Sequence, residues 1–252
     1  MPSRLDHSRE AKLEKRKKLE EAGLNPHPYT YKTTASVAVA LKSKGKTVRV
    51  AGRLLSLREH GKVMFGDLRD QTAQMQIMFR ADNLGDSFDQ LTYIDSGDFI
   101  GIEGKVIISK TGEVTIQVSS YEILGKSLRP LPNSWQGIDD QEVRYRKRYL
   151  DMIINPEVKK TLDARWLIEK EIRRYLQDIE GYIEVETPVL QPLYGGTNAR
   201  PFTTHMNALD CDFYLRIAPE LYLKRLIVGG YERIFEIARN FRNEGIDHTH
   251  QP

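Results

Sequence analysis

The pentapeptide FRNEG at residues 241–245, with His250 shortly after it, sets a guanidinium two residues from a carboxylate at the end of an apolar segment. Arginine offers a planar fork of donors that fits carboxylate and phosphate oxygens, and a neighbouring glutamate suits an amine. The run YERIFEIARNFR that leads into it alternates with period two and predicts a strand. Phe235, Ile237 and Phe241 fall on a packing face, and Glu236, Asn240, Arg242 and Glu244 on a face available to a ligand. The same residues also fit an exposed strand carrying a surface ion pair. His248 and His250 beside Asp247 could be read as a metal pair, but histidines on a polar terminal loop are more often solvated, so no metal site is expected here.

A second constellation lies earlier. In KVMFGDLRD, alternation sets Val63, Phe65, Asp67 and Arg69 on one face and Met64 and Leu68 on the other. In AQMQIMF, Met75, Ile77 and Phe79 take the core parity and Gln76 the outer one. An outward aromatic beside amide and basic groups offers an unpaired base a ring to stack on and partners for its Watson–Crick edge. A lone outward Phe also fits as cover for the end of a barrel.

These residues must be positioned by the elements around them. Residues 1–45 read as a helical extension, with a charged helix from about Asp6 to Ala22 stopped by Gly23, Pro26 and Pro28. Its mixed Lys and Glu predict a solvated face, or else a basic arm for RNA phosphates. Residues 46–125 carry five short strands separated by turn signals, with a helix bearing Leu84, Phe88 and Leu91 before the fourth, the pattern of an OB-fold barrel. Residues 126–142, rich in Pro, Gly and Asn, read as a linker, and a basic cluster of Arg144, Arg146, Lys147 and Arg148 follows. In 143–252, Asn155 and Pro156 start a helix whose apolar stripe is Ala164, Ile168, Ile172, Tyr175 and Ile179. A strand through Ile183 and Val185, a strand DFYLRIA, a short helix PELYLKRLIV closed by Gly229 and Gly230, and the strand YERIFEIARNFR complete the reading. No GxGxxG or GxxxxGK[ST] loop and no parallel crossover unit is visible, so the sheet is expected to be antiparallel and Rossmann or P-loop nucleotide sites are excluded.

Composition bounds the function classes. The 252 residues suffice for about two domains. With 40% hydrophobic and 29% charged residues the chain reads as globular rather than disordered, and a net charge of +3 tolerates an RNA partner without demanding one. The single cysteine, Cys211, excludes an intrachain disulfide and a thiolate metal cluster, which predicts a reducing, cytoplasmic setting. No membrane helix or secretion signal is legible.

The segment around FRNEG resembles motif 2 of the class II aminoacyl-tRNA synthetases, and GYIEVETPVLQP at 181–192 resembles their motif 1, a strand ending at Pro188 after a long helix. Between them, GGTNARPF at 195–202 and APELYLKR at 218–225 resemble the amino-acid-binding segments of the lysyl branch. The resemblance runs from about Leu41 to the last residue. It implies an α+β chain, an N-terminal OB-fold anticodon-binding barrel followed by the first part of an antiparallel sheet flanked by helices. It implies lysine–tRNA ligase activity, with lysine, ATP and tRNA(Lys) as partners, Mg2+ held by carboxylates beyond residue 252, and a homodimer formed through the motif 1 region. By resemblance, Arg242, Glu244 and His250 take catalytic positions on ATP, and Gly195, Gly196 and Glu220 bind the amino acid, Glu220 at its α-amino group. Arg58, Phe65 and Gln76 bind the central anticodon uridine, and Glu113, outward on the fifth strand, contacts the first anticodon base. Thr197-Asn198 departs from the small apolar residues usual in the lysine enzymes. The sequence stops at Gln251-Pro252, inside motif 2, so residues 1–252 are expected to be incomplete for catalysis. The alternative is an inactive truncated paralogue that acts as a tRNA- or RNA-binding module.

Overall fold

Strands whose residues alternate between apolar and polar can close on themselves with the apolar parity inside, and the first part of this chain does so. A computed structural model describes residues 4–132 and 137–247. The chain divides into two units, residues 1–154 and 155–252. The first begins with α1 (Arg4–Glu21) and the one-turn α2 (Val37–Ala40). Strands β1 (Thr47–His60), β2 (Val63–Arg69), β3 (Gln74–Arg80), β4 (Phe99–Ile108) and β5 (Val114–Gly125) close a barrel in the order β1-β2-β3-β5-β4. Between β3 and β4 lie α3 (Ala81–Leu84) and a 3-10 stretch, Gly85–Tyr93, where one helix was expected. Two short helices, α4 (Gln141–Arg146) and α5 (Arg148–Ile154), end the unit.

β1 serves two neighbours. Thr47–Arg53 pairs antiparallel with β4, and Arg53–His60 pairs antiparallel with β2 through a ladder that shifts register between Leu54 and Ser56. Such a break bends the strand and increases its twist, which turns the corner of the barrel. The parallel register of β3 on β5, Gln76 to Met78 against Thr115 to Gln117, closes the ring. Met64, Leu68, Met75, Ile77 and Phe79 are buried in the core cluster, whereas Phe65, Asp67 and Gln76 take the outward parity that the sequence predicts.

The charged helix α1 is not solvated on every face. Leu19 is wholly buried in the barrel's core cluster, Lys15 Nζ lies 2.6 Å from Asp95, and Lys12 donates to the Ser96 carbonyl at 3.3 Å. One leucine and two lysine stems dock it, a pattern too sparse to register as an apolar stripe. Lys126, the first residue of the expected linker, is fully buried and donates to Tyr93 O at 2.6 Å, to Asp98 at 2.7 Å and to Asp95. An ammonium has three N–H groups, and each finds an oxygen. Burial pushes the Asp95 carboxyl up, but the bonds from Lys126 and Lys15 outweigh it and hold Asp95 below the usual carboxylate range. Asp70, in the β2–β3 turn, behaves alike: burial raises it, yet the Thr72 hydroxyl and the N–H groups of Val37, Ala73 and Thr72 bring it below its ordinary value. Within the basic cluster, Arg144 and Arg148 both reach buried Asp151 at 3.1 Å.

In the second unit α6 (Pro156–Arg174) starts after Asn155 and continues into a wider π turn, Tyr175–Ile179. Its stripe of Ile168, Ile172, Tyr175 and Ile179 lies exposed. Then come β6 (Ile183–Glu184), β7 (Leu190–Gln191), β8 (Thr203–Met206), β9 (Cys211–Leu215), α7 (Glu220–Val228) and β10 (Ile234–Phe235). β7, β9 and β8 form an antiparallel sheet, as expected, but β10 pairs parallel with β6.

The expected strand over 231–242 is the main correction. Only Ile234–Phe235 pairs as a strand; Ile237 is exposed, and Glu236 turns inward, its side chain 5% exposed, onto Arg216. Period two assigns faces only while a strand continues, and here an inward carboxylate with a buried cation waiting for it reverses the parity. β8 was not predicted, although TTHM, a four-residue turn and CDFYL spell a hairpin. Asp210, at φ 49°, supplies the left-handed turn residue.

Candidate functional site

Two groups of side chains stand out, one in each unit. On the barrel, register sets Arg58 opposite Phe65, Phe65 opposite Met78, and Asp67 opposite Gln76. Arg58, Phe65 and Gln76 therefore share one outer patch, and they line a groove of about 640 Å³ with His60, Arg80 and Lys110. The His60 ring meets Phe65 edge-on at 6.3 Å. Arg58 lies 3.5 Å from Asp67, which also accepts from Ser56 Oγ. The groove thus combines an aromatic surface, an amide and basic groups, the set that holds an unpaired base and its backbone.

Glu113 does not lie on the fifth strand, as the sequence implied. The Ser109 N–H bonds Glu113 O at 2.8 Å and Glu113 N–H bonds Ser109 Oγ at 3.0 Å, which closes a turn, and β5 begins at Val114. From that turn Glu113 Oε2 accepts from Gln76 Nε2 at 2.7 Å, while Gln76 Oε1 accepts from Thr115 Oγ1 at 2.9 Å. Gln76 is thereby gripped at both ends. Alternation identified Gln76 but gave no sign of Thr115, which shares the outward parity of Gln76 and Gln117 yet is wholly buried.

In the second unit the loop at Gly195 and Gly196 presses on the start of α7. A Cβ at Gly196 would stand 3.0 Å from Glu220 Cβ and 3.3 Å from Ala218 Cβ, and its φ of +90° favours glycine independently. Glu220 Oε1 forms an i,i+4 ion pair with Lys224. A substrate ammonium at Glu220 would meet Lys224 as a competitor, and that residue was not singled out in the sequence. The segment after β10 is held by its backbone. Phe241 N–H bonds Arg216 O at 2.9 Å, Asn243 N–H bonds Arg200 O at 2.8 Å, and Glu244 Oε1 accepts the Arg200 N–H at 3.2 Å.

Arg216 is the buried anchor beneath this segment. Its guanidinium donates to Arg239 O at 2.9 Å, to Thr187 O at 3.0 Å, to Thr187 Oγ1 at 2.9 Å and to Glu236 Oε1 at 2.5 Å. Sequence reasoning passed over it because a lone arginine in DFYLRIA looks like an exposed strand residue. Arg242, by contrast, is exposed, and among the described residues no carboxylate engages it. The structure brings Gly196 to Glu220 and Glu244 to the loop at Arg200. His250 and His248 lie outside the described residues. No three His, Cys, Asp or Glu side chains converge to hold a metal among those described. Nor is any described helix long and apolar enough to cross a membrane.

Comparison with known proteins gives both units a family. Residues 48–124 match the OB-fold nucleic acid binding domain, and residues 140–252 match the tRNA synthetases class II (D, K and N). An OB-fold barrel followed along the chain by this synthetase domain defines the class, and the chain belongs to the class II tRNA synthetases of the D, K and N group. Its similarity is to the lysine enzymes. It is 49% identical over 250 residues to a lysine–tRNA ligase of Syntrophomonas wolfei and 48% identical over 246 residues to that of Carboxydothermus hydrogenoformans, matches covering 97% and 96% of this chain. It is also 48% identical over 252 residues to lysine–tRNA ligase 2 of Methanosarcina mazei. The chain spans about half the length of these relatives, 50%, 50% and 49%.

Proposed function

We propose that this chain supplies the anticodon-binding domain and the first part of the catalytic domain of a cytoplasmic lysine–tRNA ligase. Residues 46–125 read the anticodon of tRNA(Lys), and the region from 143 onward takes part in forming lysyl-adenylate from lysine and ATP. The observation that carries this reading is the barrel groove, where Phe65 shares one outer patch with Arg58 and Gln76. The relatives named as lysine–tRNA ligases support the choice of lysine.

In the second unit, attack of a lysine carboxylate on the α-phosphorus of ATP brings two anions together. Exposed Arg242 is the group for that task, because one guanidinium fork can hold an oxygen of each and offset the charge that builds in the transition state. Glu220 receives the lysine α-ammonium in place of Lys224, and Gly195 and Gly196 let backbone approach the amino acid closely. Glu244 and His250 contact the nucleotide, Glu244 being presented by its bond to the Arg200 N–H. Mg2+ would neutralise the phosphates, with ligands outside the described residues. The exposed stripe of α6 is the surface by which two copies form a homodimer.

The test is a titration of the 252-residue chain with an anticodon stem-loop bearing UUU. Phe65→Ala should weaken binding by about 1–3 kcal/mol at fixed salt, the value of one base–aromatic stack. Equal affinities of variant and parent would remove the anticodon role from this groove.

A further inference from the structure

The grip on Gln76 has a chemical consequence. A carboxylate only accepts hydrogen bonds, and a hydroxyl has one proton to give. With Glu113 Oε2 at 2.7 Å from one end of the amide and Thr115 Oγ1 at 2.9 Å from the other, the amide nitrogen must face Glu113 and the oxygen Thr115. Turned by 180°, the amide would set its oxygen against the carboxylate. The proton count agrees, since the Thr115 hydroxyl can then give its proton to Gln76 Oε1. Its other neighbour, Glu113 O, stands farther off at 3.2 Å. Each end of the amide keeps one free valence, one N–H and one lone pair.

That orientation separates the two pyrimidines. Uracil presents an N3–H donor beside carbonyl acceptors, whereas cytosine presents an N3 acceptor beside an amino donor. An amide edge fixed one way, its oxygen taking N3–H and its N–H meeting a carbonyl, matches uracil; cytosine needs the amide reversed. A free amide would turn to suit either base, and a gripped one cannot.

We propose that Glu113 and Thr115 are positioning residues that lock the Gln76 amide and thereby make the groove select uridine over cytidine at the base it reads. The inference rests on the anticodon reading above and reassigns Glu113 from a contact with the first anticodon base to the orientation of Gln76. Two observations support that shift: Glu113 is bonded to Gln76, and it does not line the groove. Thr115 is wholly buried, so it can reach RNA only through Gln76.

The experiment measures binding of the 252-residue chain and its variants to three stem-loops that differ only in the anticodon, UUU, UCU and CUU. The parent should prefer UUU over UCU. Glu113→Gln, a surface change in a turn, offers a side chain that can either donate or accept, so the preference for UUU over UCU should fall about tenfold, the worth of a lost hydrogen bond to a charged group. Thr115→Val should lower the same ratio by a smaller factor and Thr115→Ser should restore it, a rescue that a purely structural role would not give. If both variants keep the parent's UUU-to-UCU ratio, or if Glu113→Gln alters only the ratio of UUU to CUU, the lock is overturned and the anticodon reading stands. A parent chain that does not distinguish UUU from UCU overturns both.

Discussion

Arg216 offers the sharpest test of how the candidate catalytic region is held. Its side chain is 6% exposed, makes four bonds and faces a Glu236 side chain that is 5% exposed. Arg216→Met keeps an apolar stem of similar length and removes the cation. Taking one partner from a buried ion pair costs about 3–5 kcal/mol, mostly because the other charge is left without compensation. Here Glu236 keeps the Thr187 hydroxyl at 2.7 Å, which argues for the lower end, about 3 kcal/mol. Glu236→Gln should cost less, about 1–2 kcal/mol, because Arg216 retains two backbone carbonyls and the Thr187 hydroxyl. The double change Arg216→Met/Glu236→Leu should recover most of the loss, since replacing both charges by apolar groups is often neutral. Urea unfolding followed by Trp166 fluorescence, in a Trp135→Phe background, reads the second unit directly. A loss under about 1 kcal/mol for Arg216→Met, or a double variant no more stable than the single one, would refute the view that a buried charge pair anchors this segment.

Three further outcomes are expected. In a polypeptide that carries the complete synthetase domain, Arg242→Lys should lose lysine-dependent adenylation nearly as fully as Arg242→Ala, because a point charge cannot span two anions as a fork does; a lysine variant with most of the parent rate would make Arg242 a bystander. In the same polypeptide Glu220→Gln should raise KM for lysine by about tenfold and leave KM for ATP unchanged, whereas a role confined to the Lys224 pair predicts unaltered lysine kinetics. Asp70 and Asp95 are held below the ordinary carboxylate range when folded, so the unfolded chain takes up protons first as pH falls. Barrel stability should therefore be steady near neutrality and decline on acidification through the carboxylate range, and Asp95→Asn should flatten that decline in urea midpoints taken across pH.

The sequence by itself determined the barrel and its outward face. Five alternating segments specify which residues turn inward, because a period of two couples every side chain on a strand to one choice of face, and Phe65, Gln76 and Asp67 follow from that choice. It also set the limits of α7 and the start of α6, where Gly229 and Pro156 act locally. Tertiary structure alone decided the rest. The inward turn of Glu236 depends on Arg216, twenty residues away, and the burial of Leu19 and Lys126 depends on surfaces that exist only once the barrel has closed. The grip on Gln76 arises where β3 meets β5 in parallel, a pairing between residues far apart in the chain. Local alternation can say that Gln76 faces outward. Which way its amide points is fixed by a hydroxyl and a carboxylate that only the closed barrel brings to it.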